Sequence, residues 1–163
     1  MKLERAYAIV EEQRWYKIEG REGMAKRLEI AVYKLENDIT RIKRIIDSGK
    51  KSDIKWKDMA YTGYEELFTK GYELREDALE FLKFRKEYEL NPNSPRARIL
   101  VSKFGVDNNA TVVVSNKIVK LYAEAYANAK ELTRLIRLGQ NLGLLKINIP
   151  SVEFRQPIRE ETL

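Results

Sequence analysis

The sequence predicts an all-α protein, and three observations predict it. Apolar residues recur at three- and four-residue spacing along most of the chain, most strictly from Ala25 to Ile46. Helix start and stop signals punctuate that periodicity, notably Ser94-Pro95, Asp47-Ser48-Gly49 and Asn91-Pro92-Asn93. Apolar residues make up 44% and charged residues 34%, a balance that suits long helices with one buried stripe and a wide solvated face. The expected architecture is a long antiparallel helical hairpin, coiled-coil-like, over residues 1–90. A short helix and a further long helix follow over 94–140, packed on the hairpin, and an extended C-terminal arm over 141–163.

From Met1 to about Ile18, Leu3, Tyr7 and Val10 fall at helical spacing, with Ala6 and Ile9 widening the stripe. Gly20 and Gly23 come next. A helix can run through them at about 1 kcal/mol each, or the chain can kink or break there. Between Ala25 and Ile46 two interleaved sets repeat every seven residues: Ala25, Val32, Ile39 and Ile46, and Leu28, Leu35 and Ile42. Such a seam needs a partner helix from the same chain or a second copy. Self-association through Leu28, Val32, Leu35, Ile39, Ile42 and Ile46 is therefore expected.

Gly49 to Asp53 reads as a polar turn, followed by Ile54, Trp56 and Met59. Thr62 and Glu65 have capping-box spacing at the start of the second long helix. Its expected buried positions are Tyr64, Leu67, Phe68, Leu74, Ala78, Phe81, Leu82 and Tyr88. Ser94-Pro95 opens a short helix that Gly105 closes. The last long helix, to about Leu138, carries the stripe Ile118, Tyr122, Ala125, Ala129, Leu132 and Ile136, whose alanines permit a close neighbour. Gly139 and Gly143 should end it. Leu145, Ile147 and Ile149 then alternate before Pro150, as in an extended arm or short strand, and Val152, Phe154 and Ile158 suit docking on a neighbour.

Composition narrows the chemistry. The chain has no Cys and no His, which removes thiolate nucleophiles, disulfides and the commonest general base and metal ligand. Glu65, Glu66, Glu73, Glu76, Asp77 and Glu80 share one helix, but carboxylate di-metal bundles pair glutamate with Glu-x-x-His. No glycine-rich phosphate loop occurs. The expectation is a protein that is not an enzyme, with no cofactor and no metal. No stretch reaches about 18 uncharged apolar residues, so no membrane partner is expected, and the expected location is cytoplasmic or virion-associated.

The segment Ala97 to Lys120 resembles a helix-turn-helix: a short helix, a glycine-plus-valine turn, then a helix with a polar N-terminal face. Leu100, Phe104, Val106 and Val114 stand where the motif locks its helices. Val101 departs from the usual alanine, and Thr111 takes a position expected to be apolar. Val112 can fill that role if the turn holds one extra residue. The resemblance implies that Asn108, Asn109, Thr111, Ser115, Asn116 and Lys117 face a groove, asparagine reading adenine and hydroxyls and lysine holding phosphates.

Charge is partitioned in the same sense. The formal net charge is +6. From Asn91 to Arg159 eleven basic residues, among them Arg96, Arg98, Lys103, Lys117 and Lys120, face four acids. A second basic cluster around the first turn includes Lys50, Lys51, Lys55 and Lys57. Trp56, Tyr61 and Tyr64 beside it read first as core and second as stacking platforms for bases. The residues expected to contact DNA or RNA are therefore Arg96, Arg98, Lys103, Asn108, Asn109, Thr111, Ser115, Asn116, Lys117, Lys120, Lys50, Lys51, Lys55 and Lys57. The expected function is non-enzymatic nucleic-acid binding by an oligomer, as a regulator or a DNA-handling component of a virus or mobile element. The alternative is a structural subunit of an assembly without nucleic-acid contact.

Overall fold

The computed structural model describes the backbone of residues 2–55, 59 and 64–147, and the side chains of 20–55, 59 and 67–147. It is all-α. The order is α1 (Lys2–Ser48), β1 (Ser52–Asp53), α2 (Tyr64–Leu90), α3 (Pro95–Phe104), α4 (Asn109–Asn141) and β2 (Leu145–Lys146). The stripe expected at Leu3, Tyr7 and Val10, the Thr62–Glu65 capping box, Trp56 and Tyr61, the Tyr64 side chain and the arm beyond Ile147 lie outside the described residues. α1 runs unbroken through Gly20 and Gly23.

The chain divides into two compact units, interleaved along the sequence. The first comprises residues 1–26 and 73–120: the start of α1, most of α2, α3 and the start of α4. Its core holds Met24, Leu74, Ala78, Phe81, Ala97, Leu100, Val106, Val114 and Ile118. The second comprises residues 27–72 and 121–163. Leu28, Ala31, Leu35, Ile42, Phe68, Tyr122, Ala125, Leu132 and Ile136 are all essentially excluded from solvent there. Each large apolar side chain so buried contributes about 1.5–3 kcal/mol.

The α1 seam is rotated from the expected one. The buried line is Arg21, Met24, Leu28, Ala31, Leu35, Asp38 and Ile42, again at alternating three and four spacing, while Val32, Ile39 and Ile46 are only half-buried. The physical reason is close approach. The Asn128 amide on α4 donates to the Val32 carbonyl at 3.2 Å, bringing a side chain onto helix backbone where Ala31, Ala125 and Ala129 leave room. Leu28, Leu35 and Ile42 are completely buried within one chain, so those three are not free to form an interface between copies. Across the unit, the Tyr122 hydroxyl donates to the Phe68 carbonyl at 3.1 Å and its ring meets Phe68 edge-on.

The stretch after α1 is more than a polar turn. Ser52 and Asp53 pair in parallel with Leu145 and Lys146, and the Ile54 amide donates to the Lys146 carbonyl at 3.0 Å. Leu145 and Ile147 are buried and Lys146 exposed, as alternation requires. Gly139 does not end α4. It lies inside the helix, where an added Cβ would stand 3.0 Å from the Leu145 Cβ. The helix closes two residues later: the Gly143 amide donates to the Gln140 carbonyl and the Leu144 amide to the Gly139 carbonyl, a Schellman pair.

Candidate nucleic-acid interface

α3 begins where Ser94 and Pro95 predict. The Ser94 hydroxyl accepts the Ala97 amide at 3.0 Å, and proline fills the first helical position. It ends at Gly105, whose φ of 59° and ψ of 37° lie in the left-handed region that a Cβ penalises. The Gly105 amide donates to the Val101 carbonyl at 2.9 Å. Asn108 then caps α4, its Oδ1 accepting the Thr111 amide at 3.2 Å. Residues 105–108 make a four-residue turn, long enough for Thr111 and Val112 both to pack inward.

Three anchors fix this corner on α2. Val106 is fully buried in a cluster with Phe81 and Leu100, against which Leu82, Phe84, Tyr88, Val101 and Val112 pack. Phe84 stacks on Phe104 with ring centroids 4.4 Å apart. The Arg85 guanidinium donates to the Val106 carbonyl at 2.8 Å. The corner is thus held by apolar burial, ring stacking and a charge-assisted bond.

The residues expected to face a groove separate into two groups. Asn109, Asn116, Lys117 and Lys120 are exposed on α4 and share one face, together with Val113, which is 57% exposed. Thr111 and Ser115 do not face outward: they are buried on the opposite side of the helix, Ser115 completely. The α4 stripe explains this, because stepping back from Ile118 by three and then four residues lands on Ser115 and Thr111. Asn108 is exposed, with its side-chain oxygen engaged in capping. On α3, Arg98 and Lys103 are exposed, and Arg96 lies 3.6 Å from Glu87, an exposed pair of small energetic weight.

Among the described residues, Arg98, Lys103, Lys117 and Lys120 have no ion-pair partner. From Asn91 to Lys120 five basic residues stand against Asp107 alone. Lys50, Lys51 and Lys55 are exposed in the second unit, whereas α3 and the Asn109–Lys120 face of α4 belong to the first, and Lys57 lies outside the described residues.

The placement of two residues here was not legible in the sequence. Val113 is hidden by its apolar neighbours Val112 and Val114, and only the α4 wheel separates it from them. Arg21 is 5% exposed, and its Nη1 donates to the Ser115 hydroxyl at 3.2 Å. Its guanidinium carbon lies 5.6 Å from the Phe81 ring centre, and its Nε has no hydrogen-bond partner. Burial lowers its pKa and Asp77 partly restores it. A guanidinium in this setting keeps its charge at neutral pH, so the first unit holds a buried cation tied to the inner side of α4.

Among the described residues, no group of three or more carboxylates is placed to hold a metal ion, and no helix is long and apolar enough to cross a membrane. No protein-family model and no curated protein matches the sequence, and no solved structure matches the fold.

Proposed function

We propose that this chain is a non-enzymatic protein that binds duplex DNA with the N-terminal half of α4 in the major groove. One observation carries the reading: Asn109, Val113, Asn116, Lys117 and Lys120 form an outward face free of acids, on a helix locked by the α3 corner. From Asn109 to Lys120 that face extends about 16 Å along the helix axis, enough to lie across several base edges. Arg98 and Lys103, exposed on α3, suit phosphate contacts, which set register and supply affinity without sequence information. A regulator, or a DNA-handling component of a virus or mobile element, would use such a unit.

The test is electrophoretic mobility of a duplex across a salt series. With Arg98, Lys103, Lys117 and Lys120 each neutralising a phosphate, log affinity should fall against log salt with a slope of about −3 to −4. The variant R98Q/K103Q/K117Q/K120Q should lose most of that slope while keeping its helical signal. Absence of duplex binding at low salt sinks the proposal.

A second reading, an assembly subunit, is favoured by Ile30 and Tyr33. They lie about one turn apart on α1 and are 52% and 65% exposed. Light scattering separates the two: a large particle indifferent to nucleic acid supports the second.

A further inference from the structure

Val113 is the apolar member of an otherwise polar face of α4. It is flanked there by Asn109, Asn116, Lys117 and Lys120, all exposed, and it has the largest exposure of the valines and isoleucines in the described structure. The fold gives no reason for it. A β-branched residue at an exposed mid-helix position is a weaker helix former than alanine, and Val113 is not among the side chains packed on the Phe81–Leu100–Val106 cluster. On the helix wheel it falls between Asn116 and Lys117, so whatever meets those polar groups also meets its two methyls.

The major groove offers one apolar feature, the 5-methyl group of thymine, beside the donor and acceptor edge of adenine that an asparagine amide matches with two hydrogen bonds. Resting on the proposal that α4 reads duplex DNA, we propose that Val113 is a specificity residue that buries a thymine methyl while Asn116 pairs with an adenine, making the preferred ligand a B-form duplex with A·T pairs under α4. Charge complementarity supports a nucleic acid as occupant, since residues 91–120 hold five basic side chains and one acid. The A-form major groove is too deep and narrow for these side chains, which disfavours double-stranded RNA.

The experiment starts from a random duplex pool, selects the bound sequences, and replaces each selected thymine in turn by uracil, which removes only the methyl. Wild type should bind one uracil duplex about fourfold more weakly, the effect of unburying one methyl-sized group. Val113→Ala should bind thymine and uracil duplexes equally, with the salt slope of wild type. Asn116→Ala should lose discrimination at an adjacent adenine. Circular dichroism checks that both exposed substitutions leave the fold intact. Wild-type binding that ignores every uracil replacement overturns the inference and leaves the proposed function standing. A Val113→Ala loss equal on both duplexes also overturns it, by removing the methyl as the contact. Failure to bind any duplex at low salt defeats the underlying reading and this one with it.

Discussion

Arg21 puts a desolvated guanidinium between α1 and α4 of the first unit, donating to the Ser115 hydroxyl and facing the Phe81 ring. A buried cation with an unsatisfied Nε is weak evidence for stability, because desolvation opposes whatever the contacts return. Truncation and isosteric replacement should therefore diverge. Arg21→Ala leaves a cavity and should destabilise by about 2–5 kcal/mol. Arg21→Met keeps most of the volume, removes the buried charge and should change stability by less than about 1.5 kcal/mol in urea denaturation. If both variants are equally damaging, the guanidinium itself holds the unit together.

Helix interiors and helix contacts set opposite rules for the same residue type. Gly23 is exposed within α1, and a Cβ there would meet nothing within 4 Å. Gly23→Ala should stabilise by about 0.5–1 kcal/mol through helix propensity alone. Gly139 lies in α4 against Leu145 and Ile46, with a Cβ contact of 3.0 Å to the Leu145 Cβ. Gly139→Ala should push β2 away from α4 and destabilise by about 1–3 kcal/mol, the usual range for overpacking. Thermal unfolding of the pair reads both signs in one experiment, and a stabilising Gly139→Ala would refute the close approach. At Gly105 the left-handed backbone makes Gly105→Ala cost about 1–2 kcal/mol, with loosening of the α3 corner.

At the scale of the whole molecule, the innermost residues of the α1 seam are buried within one chain. Leu28, Leu35 and Ile42 have no exposure in a single copy. The unfolding midpoint should therefore not depend on protein concentration, as it would if a second copy completed the core. Leu35→Asp should unfold the second unit outright, since it buries a carboxylate where no water reaches. A folded, merely dissociated Leu35→Asp protein, seen by circular dichroism with light scattering, would return the seam to an interface between copies.

Periodicity by itself determined that the described residues are helical and which stripes of α2 and α4 are buried. Ile118, Tyr122, Ala125, Ala129, Leu132 and Ile136 are all buried, as are Leu67, Phe68, Leu74, Ala78 and Phe81. Local backbone chemistry determined the ends of α3, because Ser94, Pro95 and Gly105 act through bonds no longer than one turn. The exact facing of α1 was not legible, since Ala31 and Asp38 carry little hydrophobic signal and line the buried side only because another helix comes close. The same limit misplaced Thr111 and Ser115 and hid Val113, as polarity suggested exposure for the first two and apolarity suggested burial for the third. The pairing of Ser52–Asp53 with Leu145–Lys146 joins segments more than ninety residues apart. Hydrogen bonds of that reach depend on where the helices deliver the chain, so only the tertiary structure decided them.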